Sequence, residues 1–331
     1  MGKVAVVGHL CVDIRPHFSQ PPTLEPGTLR QVGPVTIALG GAVANTGRVL
    51  AVLGVPVVGW AAVGSDDLGA IITAHLGRIP GFDFRPQTVA VGSSYTIVLE
   101  SPHVDRAFWN YPGSNAALDL GAVTLDGIDL LHFGYPSLMP GICADGGAAL
   151  VDLFTRATDA GIATSLDLAW IDRLSEAGEV DWPTFLARIL PVTDVFCPSY
   201  DDLACIFDLP GEFGAEAVTP LVERLLAHGA GIVMVTGGAD GIVLGAGEAG
   251  RLDRPATRGL RPDEWAGVRL HVPARVLTRV STTTGAGDAA TAGLLSGLLA
   301  GLGPQAAVER AVDVASAVIE QGGTEAFTGI G

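Results

Sequence analysis

The chain has 331 residues, 48% of them apolar and 16% charged, with a net charge of −16. A folded chain of this length buries roughly three quarters of its unfolded surface, and so much apolar matter beside so little charge excludes a disordered chain, a coiled coil and a charged repeat. The acidic balance repels phosphate backbones and anionic lipid heads, which makes nucleic acid and membrane surfaces poor partners.

In chain order, an apolar strand at 4–7 comes first, followed by an irregular stretch rich in Pro and Gly at 11–39. A helix is predicted at 42–53, a strand at 57–63 and a helix at 67–78. The 88–112 stretch breaks the pattern, since 94–100 and 106–111 read as two antiparallel strands around Ser101-Pro102-His103. Beyond it lie a strand at 130–133, a helix at 146–160, strands at 162–167 and 193–197, a helix at 217–229 and a strand at 231–236. The stretch 245–273, with its arginines and prolines, reads as a solvated excursion before a strand at 275–280, and helices at 288–302 and 304–321 close the chain.

Short continuous apolar strands are those buried on both faces of a parallel sheet, and their alternation with helices implies βαβ units. The fold expected is therefore α/β: a three-layer α/β/α, doubly wound, mostly parallel sheet. Stretches 11–39 and 88–112 are expected to form a small β-sheet lid. No internal repeat and no linker divides 1–331, so one domain is expected.

Glycine (45) and proline (21) are spread without a strict period, so they punctuate elements rather than build a fibrous or low-complexity chain. Cys11, Cys143, Cys197 and Cys205 form no C-x-x-C pair and lack histidines at zinc spacing, which favours reduced, buried thiols. The apolar run at 4–7 is too short for a signal peptide, and Val6 breaks the myristoylation pattern, so the cytoplasm is the expected compartment. Lys3 is the only lysine against 18 arginines. A Walker P-loop, a protein kinase and a pyridoxal enzyme each need a lysine that Lys3, at the edge of the first strand, cannot supply.

The strongest local signal is Thr282-Thr283-Thr284-Gly285-Ala286-Gly287-Asp288, between a predicted strand and a helix. Two glycines flanking an alanine let successive N–H groups point one way, and the helix that follows adds the positive end of its dipole, so the turn can hold an anion without a lysine. Asp288 falls in the first helical turn, where it serves either as a cap or as a base taking a proton from a hydroxyl. A second signal is Gly40-Gly41-Ala42-Val43-Ala44-Asn45, where glycines permit close approach and Asn45 lies one turn into a helix. A third is Asp13, just past the first strand, where open α/β sheets place ligands; it is either a ligand for two hydroxyls or a solvated loop aspartate.

Taken in order with Val63-Gly64-Ser65-Asp66-Asp67-Leu68-Gly69, Gly113-Ser114-Asn115-Ala116-Ala117-Leu118 and Thr236-Gly237-Gly238-Ala239-Asp240-Gly241, these segments make the chain resemble the PfkB/ribokinase family of small-molecule kinases over nearly its whole length. The resemblance implies ATP as phosphoryl donor, magnesium bridging its phosphates, and a hydroxyl, expected to be primary, of a small sugar or sugar-like alcohol as acceptor. It makes Asp288 the base and the N–H groups of Gly285, Ala286 and Gly287 the anion hole. Asp13, Gly40, Gly41, Asn45, Asn115 and Tyr135 would lie at the acceptor, Ser199, Thr236, Gly238 and Gly241 at the nucleotide phosphates, and Ala311 and Ala315 beside adenine.

The sequence departs from the family in three places. The Asn-x-x-Glu near the metal is Ser199-Tyr200-Asp201-Asp202, which leaves Asp202 as the metal-side acid. The aspartate that opens the signature is Thr282, so potassium dependence does not carry over with it. The sugar-facing glutamate after the middle strand is replaced in Leu131-His132-Phe133-Gly134-Tyr135 by an aromatic. A nucleoside is the rival acceptor, stacked on a wall of Trp109, Tyr111, Phe133 and Tyr135. From other classes come an NAD-dependent Rossmann oxidoreductase, suggested by Gly285-x-Gly287-x-x-Ala290, and a binding protein that has lost catalysis. The assembly favoured is a homodimer through the lid.

Overall fold

In the computed structural model, which describes residues 2–101, 104–209, 212–254 and 261–330, the alternating pattern becomes two sheets. The N-terminal apolar run forms β1 (Val4–Gly8), buried throughout. Val4 and Val6 enter one core, Ala5 and Val7 the other. A strand buried on both faces belongs in the middle of a layered fold, which is why its apolar run is continuous.

The chain then makes β2 (Cys11–Pro16), β3 (Val35–Gly40), α1 (Ala42–Val52), β4 (Val57–Gly64), α2 (Asp67–Leu76) and β5 (Phe82–Val89). Next come β6 (Tyr95–Ser101), β7 (Val104–Tyr111), β8 (Leu130–Gly134), α3 (Ala148–Asp159), β9 (Ala163–Asp167) and α4 (Trp182–Ile189). They are followed by β10 (Val195–Phe196), α5 (Tyr200–Phe207), α6 (Ala215–Ala227), β11 (Ile232–Thr236) and β12 (Ile242–Ala246). The remainder comprises α7 (Ala249–Leu252), α8 (Pro262–Trp265), β13 (Arg269–Val272), α9 (Ala286–Leu299) and α10 (Pro304–Gln321).

Nine strands form the main sheet in the order β13-β12-β11-β10-β9-β8-β1-β4-β5. From β11 through β5 every pairing is parallel, while β12 and β13 are added antiparallel. Val43, Ile72, Leu294 and Val308, from α1, α2, α9 and α10, pack in one core, and Leu153, Phe185, Leu203 and Val222, from α3 to α6, in the other. This is the expected three-layer arrangement. The smaller sheet has the order β3-β2-β6-β7, with β2 antiparallel to β3 and parallel to β6, and β6 antiparallel to β7. Residues 102–103, in the expected turn between β6 and β7, lie outside the described residues. Among the described residues no helix is long and apolar enough to cross a membrane.

Two sequence expectations fail at the rims of the main sheet. No strand forms at 275–280, where Val276 is 99% and Val280 65% exposed; β12 and β13 are the strands that complete this end. Strand β13 lies largely within the supposed excursion, and as an edge strand with exposed alternate positions it carries no continuous apolar run. Residues 255–260 of that excursion lie outside the described residues. At the opposite edge β5 pairs with β4 through register partners such as Trp60 and Arg85, so residues 88–89 belong to the main sheet. Its Pro86 is tolerable because an edge strand needs only one ladder of hydrogen bonds.

Candidate active site

The C-terminal ends of the parallel strands bring together β1, β8, β9 and the N-terminus of α9. Helix α9 is entered through its N-cap Gly285, whose φ of 78° lies in the left-handed region and whose Cβ, if present, would lie 2.7 Å from Thr324 Cγ2. Glycine is required there by both backbone and space. Asp288 is the third residue of the helix, yet among the described residues no side chain caps it. Its carboxylate turns away and accepts three side-chain hydrogen bonds: Tyr135 Oη at 2.7 Å and Asn45 Nδ2 at 3.0 Å on Oδ2, and Thr46 Oγ1 at 2.8 Å on Oδ1. The capping alternative is thereby excluded.

Burial pushes the Asp288 carboxyl up from the ordinary aspartate value, while the bonds from Tyr135, Thr46 and Asn45 pull it down. Thr324 Oγ1 donates to Asn45 Oδ1 at 2.8 Å, which fixes the amide with its nitrogen towards the carboxylate. Tyr135 itself is left-handed at φ 67° and ψ 49°, a conformation that costs a bulky residue on the order of 1–3 kcal/mol. Its backbone N–H is tied to the Asp167 carbonyl at 3.2 Å. Within the glycine turn, the Ala286 N–H donates to the Thr283 carbonyl at 3.3 Å, a long bond.

On the side of the smaller sheet, Asp13 is buried and its Oδ2 accepts from Arg15 Nη2 at 2.8 Å. A Cβ on Gly40 would approach Asp13 Oδ1 to 2.5 Å, and one on Gly41 would approach His9 Nδ1 to 2.6 Å. The Gly-Gly pair thus makes room for two polar side chains. Asn115 departs from its expected place at the acceptor: it is fully buried, and its amide donates to the Leu10 carbonyl at 3.0 Å and accepts from the Leu10 N–H at 3.2 Å. It clamps the crossing from β1 to β2. The aromatic wall does not assemble either, because Phe133 is fully buried in the core on the far side of the sheet while Trp109 and Tyr111 are about half exposed on β7.

On the other side, Ser199 and Asp202 form a reciprocal capping box at the start of α5. Ser199 N and Oγ donate to Asp202 Oδ2 at 3.0 and 2.7 Å, and Asp202 N donates to Ser199 Oγ at 3.1 Å. Burial raises the Asp202 carboxyl to about 6. Thr236 ends β11 and bridges to Ser199, beside the tight turn into β12. In that turn Gly238 has open space around it, whereas a Cβ on Gly241 would strike the Val272 carbonyl at 2.2 Å. Ala311 does not match its expected place beside adenine: it is wholly buried where α10 meets α9, and a Cβ on Gly293 would come within 2.7 Å of its Cα. Ala315, one turn on, is partly exposed and packed against the same core.

Sequence reasoning passed over Thr46, Thr324, Asp167 and His9. Asp167 closes β9, and burial first, then Asp288 and Asp202, push its carboxyl far above the ordinary range. Asp167 and His9 both obey the rule that pointed to Asp13, a polar residue at the C-terminal end of a parallel strand. Thr46 follows Asn45 directly in the glycine motif. Thr324 has no such signal.

The model of the pfkB family of carbohydrate kinases matches residues 1–328. A fructokinase from Rhizobium leguminosarum bv. trifolii is 27% identical over 263 residues, covering 77% of this chain and 70% of that protein. Among solved structures, Arabidopsis thaliana ribokinase complexed with ribose and ATP superposes with a TM-score of 0.75 at 18% identity, over 98% of this chain and 95% of that one. A putative ribokinase II from E. coli in complex with ATP and magnesium gives 0.74 at 21% identity, over 99% and 96%. Such low identities show the common fold, and the family match does the rest: the chain belongs to the pfkB carbohydrate kinase family, whose members are ATP-dependent phosphotransferases acting on sugar hydroxyls.

Proposed function

We propose that the protein transfers the γ-phosphoryl group of ATP to a hydroxyl of a small, uncharged sugar or sugar-like alcohol, with Asp288 as general base. The observation that carries this is the Asp288 carboxylate itself, in the first turn of α9, turned from the helix and held by Tyr135, Thr46 and Asn45. A solvated cap needs no such cradle. Phosphoryl transfer asks the protein chiefly to position the acceptor and stabilise charge. Oδ1 accepts only Thr46 among the described side chains, so it is the oxygen with capacity to take the acceptor's proton. The N–H groups of Gly285, Ala286 and Gly287, with the positive end of the α9 dipole, face the transferring phosphoryl oxygens, and the Ala286 N–H gives up its long bond to Thr283 to do so.

Asp13, Gly40, Gly41, Asn45 and Tyr135 then bound the acceptor, and Ser199, Thr236 and Gly238 the phosphates. Asp202 suits a magnesium ion, because a carboxyl raised to about 6 by burial gains from a neighbouring cation. When bound, the ion neutralises phosphate charge. Magnesium dehydrates reluctantly, so an ion beside Asp202 would be held largely through water and phosphate oxygens. The smaller sheet acts as a lid over the acceptor within a single catalytic unit, and β7, where Trp109 is 49% exposed, is the place for a second copy to pair. The test is ADP release across pentoses, ketohexoses, polyols and nucleosides, with magnesium present and potassium varied. Stimulation by one sugar or polyol class supports the reading; stimulation by nucleosides alone, or by none, contradicts it.

A further inference from the structure

We infer that His9 is a specificity-determining residue: its imidazole hydrogen-bonds a hydroxyl of the acceptor and so selects which polyhydroxy compound is held against Asp288. This deepens the phosphoryl-transfer reading and rests on it.

His9 is the first residue past β1. Its backbone is fixed at both ends, the N–H donating to the Gly134 carbonyl and the carbonyl accepting from Val43 N, each at 3.2 Å. The side chain is only 2% exposed, yet among the described residues neither Nδ1 nor Nε2 has a hydrogen-bond partner. A buried polar group without a partner penalises folding, and here two such atoms share one ring. A leucine at this position would carry no such penalty.

The surroundings say where the missing partner comes from. A Cβ on Gly41, at the start of α1, would come within 2.6 Å of Nδ1, so glycine there is what admits an imidazole at position 9. The Tyr135 ring stands 6.0 Å away, centre to centre, and its hydroxyl is bonded to Asp288. His9 and Asp288 are buried, while Tyr135, beside the one and bonded to the other, is partly exposed. An acceptor that draws Tyr135 aside reaches both. Burial holds the His9 imidazole down at about 4, so at neutral pH the ring has one donor and one acceptor nitrogen. That pair matches a hydroxyl, which donates and accepts, and offers no charge to a carboxylate or phosphate. His132 differs by one nitrogen: it is equally buried on β8 and its Nε2 also lacks a partner among the described residues, but its Nδ1 is bonded to Ser165 Oγ at 3.0 Å across to β9, which ties it into the sheet.

Two variants and two readouts decide it. His9→Leu removes both nitrogens; His9→Gln keeps a donor and an acceptor. Binding is read first, as the rise in Tm that D-fructose, D-ribose or sorbitol produces without ATP, and turnover second, as kcat/KM for the same compounds. The His9→Leu protein is expected to have an unliganded Tm equal to or above wild type, because an unpartnered polar group has been replaced by an apolar one. Its Tm response to the acceptor is lost, its kcat/KM for the acceptor falls roughly ten- to a hundredfold, its KM for ATP is unchanged, and His9→Gln restores part of the loss. An unaltered acceptor response in folded His9→Leu overturns the inference. So does a lower unliganded Tm in His9→Leu with acceptor and ATP constants weakened alike, which gives His9 a packing role. Acceptor binding that depends on His9 in a protein with no acceptor-stimulated ADP release retains the inference and refutes the kinase reading. Absence of any acceptor response in wild type refutes both.

Discussion

Replacing Asp288 by asparagine separates chemistry from structure unusually well at this site. The asparagine carbonyl can stay where Oδ2 now accepts Asn45 and Tyr135, leaving the amide nitrogen to face Thr46, whose hydroxyl turns to accept. The cradle therefore survives the change. The variant also loses a carboxyl whose ionisation burial disfavours, so its Tm at neutral pH should equal or exceed that of wild type. What it loses is the base. Removing a positioned base costs roughly 10²- to 10⁴-fold in rate, or about 3–5 kcal/mol of transition-state stabilisation. The assay is steady-state ADP release with saturating acceptor, run beside the Tm rise produced by ATP. We expect kcat to fall by that amount with the ATP response intact. Activity within tenfold of wild type, in a protein shown to carry asparagine, would refute the assignment of Asp288, and loss of ATP binding in a folded variant would give Asp288 a part in holding the nucleotide instead.

Three further outcomes follow from the same geometry. In Tyr135→Phe the donor that holds the Asp288 carboxyl down is gone, so its pKa rises further and the acid limb of the kcat/KM profile moves to higher pH; an unmoved limb would detach Tyr135 from the base. Asp202 has its folded value raised to about 6, so its contribution is present below the ordinary carboxyl value and is lost as pH climbs through 6. Asp202→Asn should therefore match wild type near pH 4 and exceed its Tm above pH 6 in the absence of ligand, with magnesium and ATP narrowing the gap; a constant difference across pH would contradict it. Gly285→Ala forces φ 78° on a residue with a Cβ 2.7 Å from Thr324, at a cost of about 1–3 kcal/mol, and should lower Tm and activity together. Gly287→Ala, with nothing within 4 Å and an ordinary φ, should leave Tm unchanged or higher, and equal losses in the two variants would argue against the turn described.

Much of the fold was legible because strands buried on both faces announce themselves: β1, β4 and β11 are near-continuous apolar runs, and β8 is one broken only by His132. The rims were not. Strand β13 alternates with solvent, β5 carries Arg85 and Pro86, and neither looks like its neighbours in the same sheet. Val276 and Val280 mislead for the opposite reason, since β-branched residues in an exposed loop imitate a strand. At the site, local chemistry could be read where one short segment supplies both backbone and side chain, as in Gly285 to Asp288 or Gly40 to Asn45. Partners brought from afar could not be read in their roles. Tyr135 reaches Asp288 across 153 residues, and Thr324 reaches Asn45 across 279. Ala311 shows the converse: its position along α10 was foreseen, but the close approach of Gly293 that buries it depends on how two helices pack.

Following the label from γ-labelled ATP separates transfer to an acceptor hydroxyl from hydrolysis of ATP. With a sugar or polyol that stimulates ADP release, label is expected in an ester of that compound, in step with ADP, and is expected to fall with kcat after Asp288→Asn. Label appearing only as inorganic phosphate, whatever acceptor is supplied, would contradict transfer.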